Sequence, residues 1–251
     1  MCSKREEKGF TLVELSIVIV IIGLIVAGVV GGQTLVQQTK LRAIVTEQQK
    51  IKVAFNAFRL EYDAVPGDFS GASSYWTTDC NVNGTGATVA AACDGDGNKR
   101  ILMAAGNTGE SYMAWLHLSK AELFPGSFVP GATLNGAFNE NIPVSKYNTA
   151  GITLLYDDST ADATGRDPDV NVIFFGGEVT AAAIADDTEF SVNHTRSLDD
   201  KTDDGNPLTG SMIGGGGAAN GVGDCIDNTT TPQSYNLDAT GTTPCSIAFE
   251  L

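Results

Sequence analysis

The sequence predicts an α+β protein in which a long N-terminal helix packs against an antiparallel sheet carrying long disulfide-bridged loops. Three observations predict it: an uncharged apolar run that passes into an amphipathic helical stripe, short strand-like segments bounded by Gly, Asp or Pro, and cysteines set within loop-rich stretches. The 251 residues suffice for one domain or two small ones. A net charge of −15, with Lys and Arg at 15 against 30 Asp and Glu, disfavours a nucleic-acid partner, whose binding draws on cations that neutralise phosphates. The charge is unevenly placed: residues 63–251 hold seven basic and 25 acidic side chains.

The first element is an apolar helix. Leu15 to Gly32 is an 18-residue stretch without a charge, which at about 1.5 Å per residue spans roughly a hydrocarbon core. Lys4, Arg5 and Lys8 precede it, so the positive-inside rule leaves the N-terminus in the cytoplasm and everything after residue 40 outside. The run is longer than that of a secretory signal and leads through Gly28, Gly31 and Gly32 into further helix-compatible sequence, which disfavours simple cleavage behind it. Glu14 stands at its lip, where an ionised carboxylate in lipid costs at least ~2.5 kcal/mol unless a cation partners it.

The segment Gly9-Phe10-Thr11-Leu12-Val13-Glu14-Leu15 closely resembles the prepilin signature of type IV pilins and type II secretion pseudopilins. The resemblance implies that a prepilin peptidase cuts after Gly9 and that Phe10 becomes an N-methylated terminus. It also implies that Glu14 attracts the free amine of a neighbouring pilin or pseudopilin subunit, of the same or a different kind. It divides the chain into a leader (1–9), the transmembrane and polymerising half of the helix (10–35) and a periplasmic or extracellular pilin-like head (36–251). A single-pass protein of the bacterial inner membrane, later part of a periplasmic or cell-surface filament, follows from it. Elementary electrostatics agrees, because a new cation at Phe10 and a carboxylate one helical turn away offset each other's desolvation.

Beyond Gln33 the chain turns polar but keeps a helical period in Leu41, Ile44, Ile51, Phe55, Phe58 and Tyr62, with Pro66-Gly67 as the stop signal. One helix from Phe10 to near Tyr62 is predicted. Its stripe is either a coiled-coil face or the floor of a globular head, and the resemblance favours the head. Strands are predicted at Ile152–Tyr156 and Val170–Phe175, with weaker ones at Glu189–Asn193 and Ser246–Phe249. A second short amphipathic helix, Tyr112–Leu123, is anchored by Met113, Trp115 and Leu116, and His117 within it reads as a hydrogen-bonded, partly buried histidine. Gly214–Gly217, with Gly221 and Gly223, reads as a flexible surface loop.

Cys2 falls in the leader, which leaves Cys80, Cys93, Cys225 and Cys245. They allow three pairings; Cys80–Cys93 with Cys225–Cys245 is favoured, since each closes a local loop and export supplies an oxidising compartment. Asp94, Asp96 and Asn98 place oxygen side chains at alternate positions, a pattern suited to Ca²⁺, although Ala105 occupies the place of an EF-hand's bidentate Glu. Asp199, Asp200, Asp203 and Asp204 form a second oxygen-rich candidate. There is no GxSxG, HExxH or Walker loop, and only His117 and His194 offer imidazoles. The expectation is a structural subunit without catalytic residues; the rival is a signal-anchored acidic binding module, an adhesin or calcium-binding head, that does not polymerise.

Overall fold

The computed structural model describes residues 10–76, 93–102, 109–128, 141–147, 150–157, 170–177, 189–215, 225–227, 229, 232–238 and 245–251. The chain divides into two compact units, residues 1–42 and 43–251. Helix α1, Leu12–Tyr62, contributes to both. In the first unit its apolar side chains from Leu12 to Val36 are exposed, and its most apolar 18-residue window, with mean hydropathy 2.9, is 0% buried. Length and composition suit that segment to a membrane.

In the second unit the predicted stripe becomes core: Ile44, Ile51, Phe55 and Phe58 are buried. The stripe is therefore the floor of a head. Two polar ties fix its register. The Glu47 carboxylate accepts from the Ser145 hydroxyl at 2.6 Å and the Lys146 N–H at 3.0 Å, and the Lys52 ammonium donates to the Glu250 carbonyl at 3.1 Å.

Four strands form an antiparallel sheet: β1 Gly151–Asp157, β2 Val170–Gly176, β3 Met212–Gly215 and β6 Ser246–Glu250, in the order β1-β2-β6-β3. Leu154 faces Ile173, Ile173 faces Phe249, and Phe249 faces Met212, so one row of buried apolar pairs crosses the whole sheet. The short strands β4 Ile226–Asp227 and β5 Ser234–Tyr235 make a separate pair within the loop closed by the Cys225–Cys245 disulfide. A closure of 20 residues stabilises by roughly 3 kcal/mol in the chain-entropy model. Cys93 is also disulfide-bonded, while Cys80 lies outside the described residues.

Helix α2, Ala72–Tyr75, is a single turn; α3 spans Glu110–Lys120 and packs against β1. Nine consecutive residues of α3 are buried, so it is a core helix where the sequence suggests an amphipathic one. Two expectations need correction. The weak strand at Glu189–Asn193 reduces to a single bridge, Phe190 to Cys245, because Ser191 caps a helix, α4, Val192–Thr202, by accepting from the His194 N–H at 3.4 Å. Gly214 and Gly215, read as loop, belong to β3, where Gly214 pairs with Ile247. A Cβ on Gly214 would lie 2.6 Å from the Tyr235 hydroxyl, so the glycine is there for close packing.

His117 joins three segments. The Gly67 N–H donates to its Nδ1 at 2.9 Å, which fixes the proton on Nε2, and Nε2–H donates to the Cys93 carbonyl at 2.9 Å. Its ring stacks on Phe58 with centroids 6.1 Å apart, and burial pushes its pKa down to about 4 from 6.5. Between those values the unfolded chain binds the extra proton, so this contribution is fully present above pH 6.5 and is lost as pH falls to 4. His117→Ala should therefore cost about 2–3 kcal/mol at pH 7, leaving the Gly67 N–H and Cys93 carbonyl without their buried partner. Denaturant unfolding of both proteins at pH 7 and pH 4 checks it; a gap that does not narrow in acid is the contrary result.

Candidate functional site

At the start of α1, Thr11 and Glu14 build a capping box. The Glu14 N–H donates to the Thr11 hydroxyl oxygen at 3.3 Å, while Glu14 Oε2 accepts from the Thr11 N–H at 2.9 Å and the Thr11 hydroxyl at 2.8 Å. The Thr-x-x-Glu spacing that encodes this box is visible in the sequence and was the missed signal there. Both bonds to the carboxylate use Oε2, and Oε1 makes no hydrogen bond to Thr11. Phe10 is 88% exposed beside it, and Gly9 lies outside the described residues. The site thus presents an exposed carboxylate at the start of an exposed apolar helix.

Among the described residues the head holds two convergent groups of carboxylates. Oxygens of Asp68, Asp96 and Glu110 lie within 4.8 Å of one another. Asp68 is buried, accepting from the Gly97 N–H at 2.5 Å and from the Lys99 N–H; Glu110 accepts from the Asp96 N–H at 3.2 Å and the Leu102 N–H at 2.7 Å. Burial raises the pKa of both, opposed by these backbone donors. The loop from Cys93 to Leu102 is wound around two acids that belong to other segments. Gly95 fits against the Asp68 backbone where any Cβ would overlap Asp68 Cα.

Of the sequence candidates, only Asp96 enters this group. Asp94 accepts from the Ser73 N–H and hydroxyl, both at 2.7 Å, and Asn98 Oδ1 accepts from the Arg100 N–H at 2.7 Å while its amide donates to Asp96. Asp68 and Glu110, which sequence reading missed, carry only faint cues: one follows Pro66-Gly67, the other opens a helix. The second group is Asp199, Asp203 and Asp204, again within 4.8 Å. Asp200, expected with them, instead faces Arg196 at 3.8 Å. Asp199 is buried and accepts from the Tyr235 hydroxyl at 2.7 Å; Asp203 accepts from the Ser211 and Met212 N–H groups, and Asp204 from the Asn206 N–H. Both groups supply oxygens of the type a hard cation takes, yet backbone and hydroxyl donors already occupy many of them.

Residues 4–30 match the model of the prokaryotic N-terminal methylation motif, the type IV pilin and pseudopilin signature. No curated protein and no solved structure shows a significant match to the chain. The motif thus covers the end of the chain that holds Phe10, the capping box and the first part of the apolar helix.

Asp199 gives the head a measurable titration. Burial raises its pKa from 3.8 to about 6, so in that window the native state binds the extra proton, and the contribution to stability is lost as pH rises through 6. Asp199→Asn removes this titration and retains an acceptor oxygen. Urea unfolding in the presence of a chelator should show the wild type losing more stability than the variant between pH 4 and pH 7; parallel pH profiles would contradict the assignment.

Proposed function

We propose that the chain is a non-catalytic structural subunit of a type IV pilus-like or pseudopilus filament. It enters the inner membrane through α1, is cut by a prepilin peptidase after Gly9, and assembles with other pilin or pseudopilin subunits through the N-terminal half of that helix. The observation that carries this reading is the methylation motif at residues 4–30 coinciding with the exposed Glu14 carboxylate and the uncovered apolar surface of α1. After cleavage the Phe10 amine of an incoming subunit is the cation that partners the Glu14 carboxylate. The rest of the span supports the reading: a Cβ on Gly23, Gly28 or Gly31 would meet nothing within 4 Å, so these positions leave room for a second backbone to approach.

The test uses the full chain in a cell that contains a prepilin peptidase. Intact mass and N-terminal sequencing should find a mature chain that begins with methylated Phe10, and Gly9→Val should leave the precursor uncut. Glu14→Ala should lower the amount in sheared filaments at least about tenfold, the loss of roughly 1.4 kcal/mol at assembly, while membrane levels stay unchanged. A mature protein that starts at Met1, or Glu14→Ala filaments equal to wild type, would make the signal-anchored binding module the better reading.

A further inference from the structure

We infer that the groove beside the second half of α1 is a docking site for another copy of this chain, which inserts Leu237 and sets Asp238 against the lysines on the rim. The inference rests on the filament reading above and names the contact between heads. The groove, about 840 Å³, is floored by Ile51, Ala54, Phe124 and Val144, with Val53 70% exposed along its wall. Lys50 and Lys146 stand exposed on its rim. Among the described residues neither ammonium has an ion pair or hydrogen bond; the nearby Glu47 carboxylate is committed to the Ser145 hydroxyl and the Lys146 N–H. An apolar floor whose rim carries two cations against the one Glu47 carboxylate, in a chain of net charge −15, calls for an apolar group flanked by an acid.

The head itself displays that group. Its exposed large apolar side chains, among the described residues, are Val53 and Leu60 on α1, Tyr75 and Leu237. Val53 belongs to the groove, Leu60 sits two turns along the same helix, and Tyr75 packs against Tyr62 and Phe69. Leu237 stands apart at 50% exposure, so it is not seated in its own chain's groove, and the Asp238 carboxylate next to it has no ion pair or hydrogen bond among the described residues. The backbone behind them is held firmly. Ile226 pairs with Tyr235, the Asn236 N–H donates to the Cys225 carbonyl at 2.9 Å, and the Cys225–Cys245 disulfide closes the loop. A pinned knob loses little entropy on docking. Knob and groove are different surfaces of one chain, so the contact can repeat head to tail, the arrangement that a filament requires.

The experiment places a photo-crosslinking phenylalanine analogue at position 237 of the full chain in peptidase-containing cells. Filaments are irradiated and the cross-linked peptides mapped. Cross-links between subunits to residues 46–57, 123–125 or 143–146 are expected. Asp238→Arg should lower their yield about tenfold, Lys50→Asp with Lys146→Asp should lower it alone, and combining all three should restore it. Retention of the Cys225–Cys245 bond and of the melting temperature shows that each variant is folded. Filaments in which position 237 cross-links elsewhere, or in which the charge reversals change nothing, overturn this contact and leave assembly through α1 standing. Absence of both filaments and dimeric cross-links overturns the two together.

Discussion

The head is organised by the need to cover one face of α1. Ile44, Ile51, Phe55 and Phe58 lie on a single stripe, and all are buried, so about four large side chains of one helix enter the core at roughly 1.5–3 kcal/mol each. Their burial needs opposing groups, among them His117 of α3 on which Phe58 stacks, and it needs register, which Glu47 and Lys52 supply by binding the backbone at residue 146 and residue 250. The two ties act on opposite neighbours of the stripe: one holds the chain just before β1, the other the last residue of β6. A shift of α1 along its axis would break both while taking the stripe out of register.

The first half of the same helix has the opposite character. From Leu12 to Val36 it offers apolar surface with no cover in its own unit, and such surface persists only in lipid or against other protein. Glu14 is the exception within that surface, and the Thr11–Glu14 box makes it tolerable by giving one carboxylate oxygen two donors. The capping box also satisfies the Thr11 N–H, one of the donors that a helix start leaves unpaired. One residue therefore ends the helix cleanly and carries the charge on which the proposed assembly step depends.

What was legible in the sequence was what repeats locally. The stripe of α1 and the β-branched and aromatic runs of β1, β2 and β6 announce their period over a few residues, and the structure places these elements within one or two residues of expectation at most ends. Helix α4 was hidden because its face is mostly polar, with Val192, Thr195, Leu198 and Asp199 as its buried positions; its real cue was the capping Ser191. Strand β3 was hidden because glycine has no strand preference, and Gly214 is chosen by the Tyr235 hydroxyl that would meet its Cβ. The carboxylate groups were legible only in part for a different reason. Asp94, Asp96 and Asn98 are neighbours in sequence, but the partners that make a cluster, Asp68 and Glu110, arrive from separate segments, and local spacing carries no record of that meeting.

The buried ionisable groups of the head pull against one another in acid. His117, held neutral by burial, loses its contribution as pH falls from 6.5 toward 4, whereas Asp199, whose proton is favoured by burial, gains as pH falls through 6. Asp68 and Glu110, also raised by burial, act in the same direction as Asp199. The head thus sets one buried base against three buried acids. Each acid is stabilised by N–H or hydroxyl donors when ionised, so none needs a cation from the chain, consistent with a head whose acidic side chains far outnumber its basic ones. That arrangement leaves Lys50 and Lys146 uncommitted to the core, while Lys52 is spent on the Glu250 carbonyl that holds the register of α1.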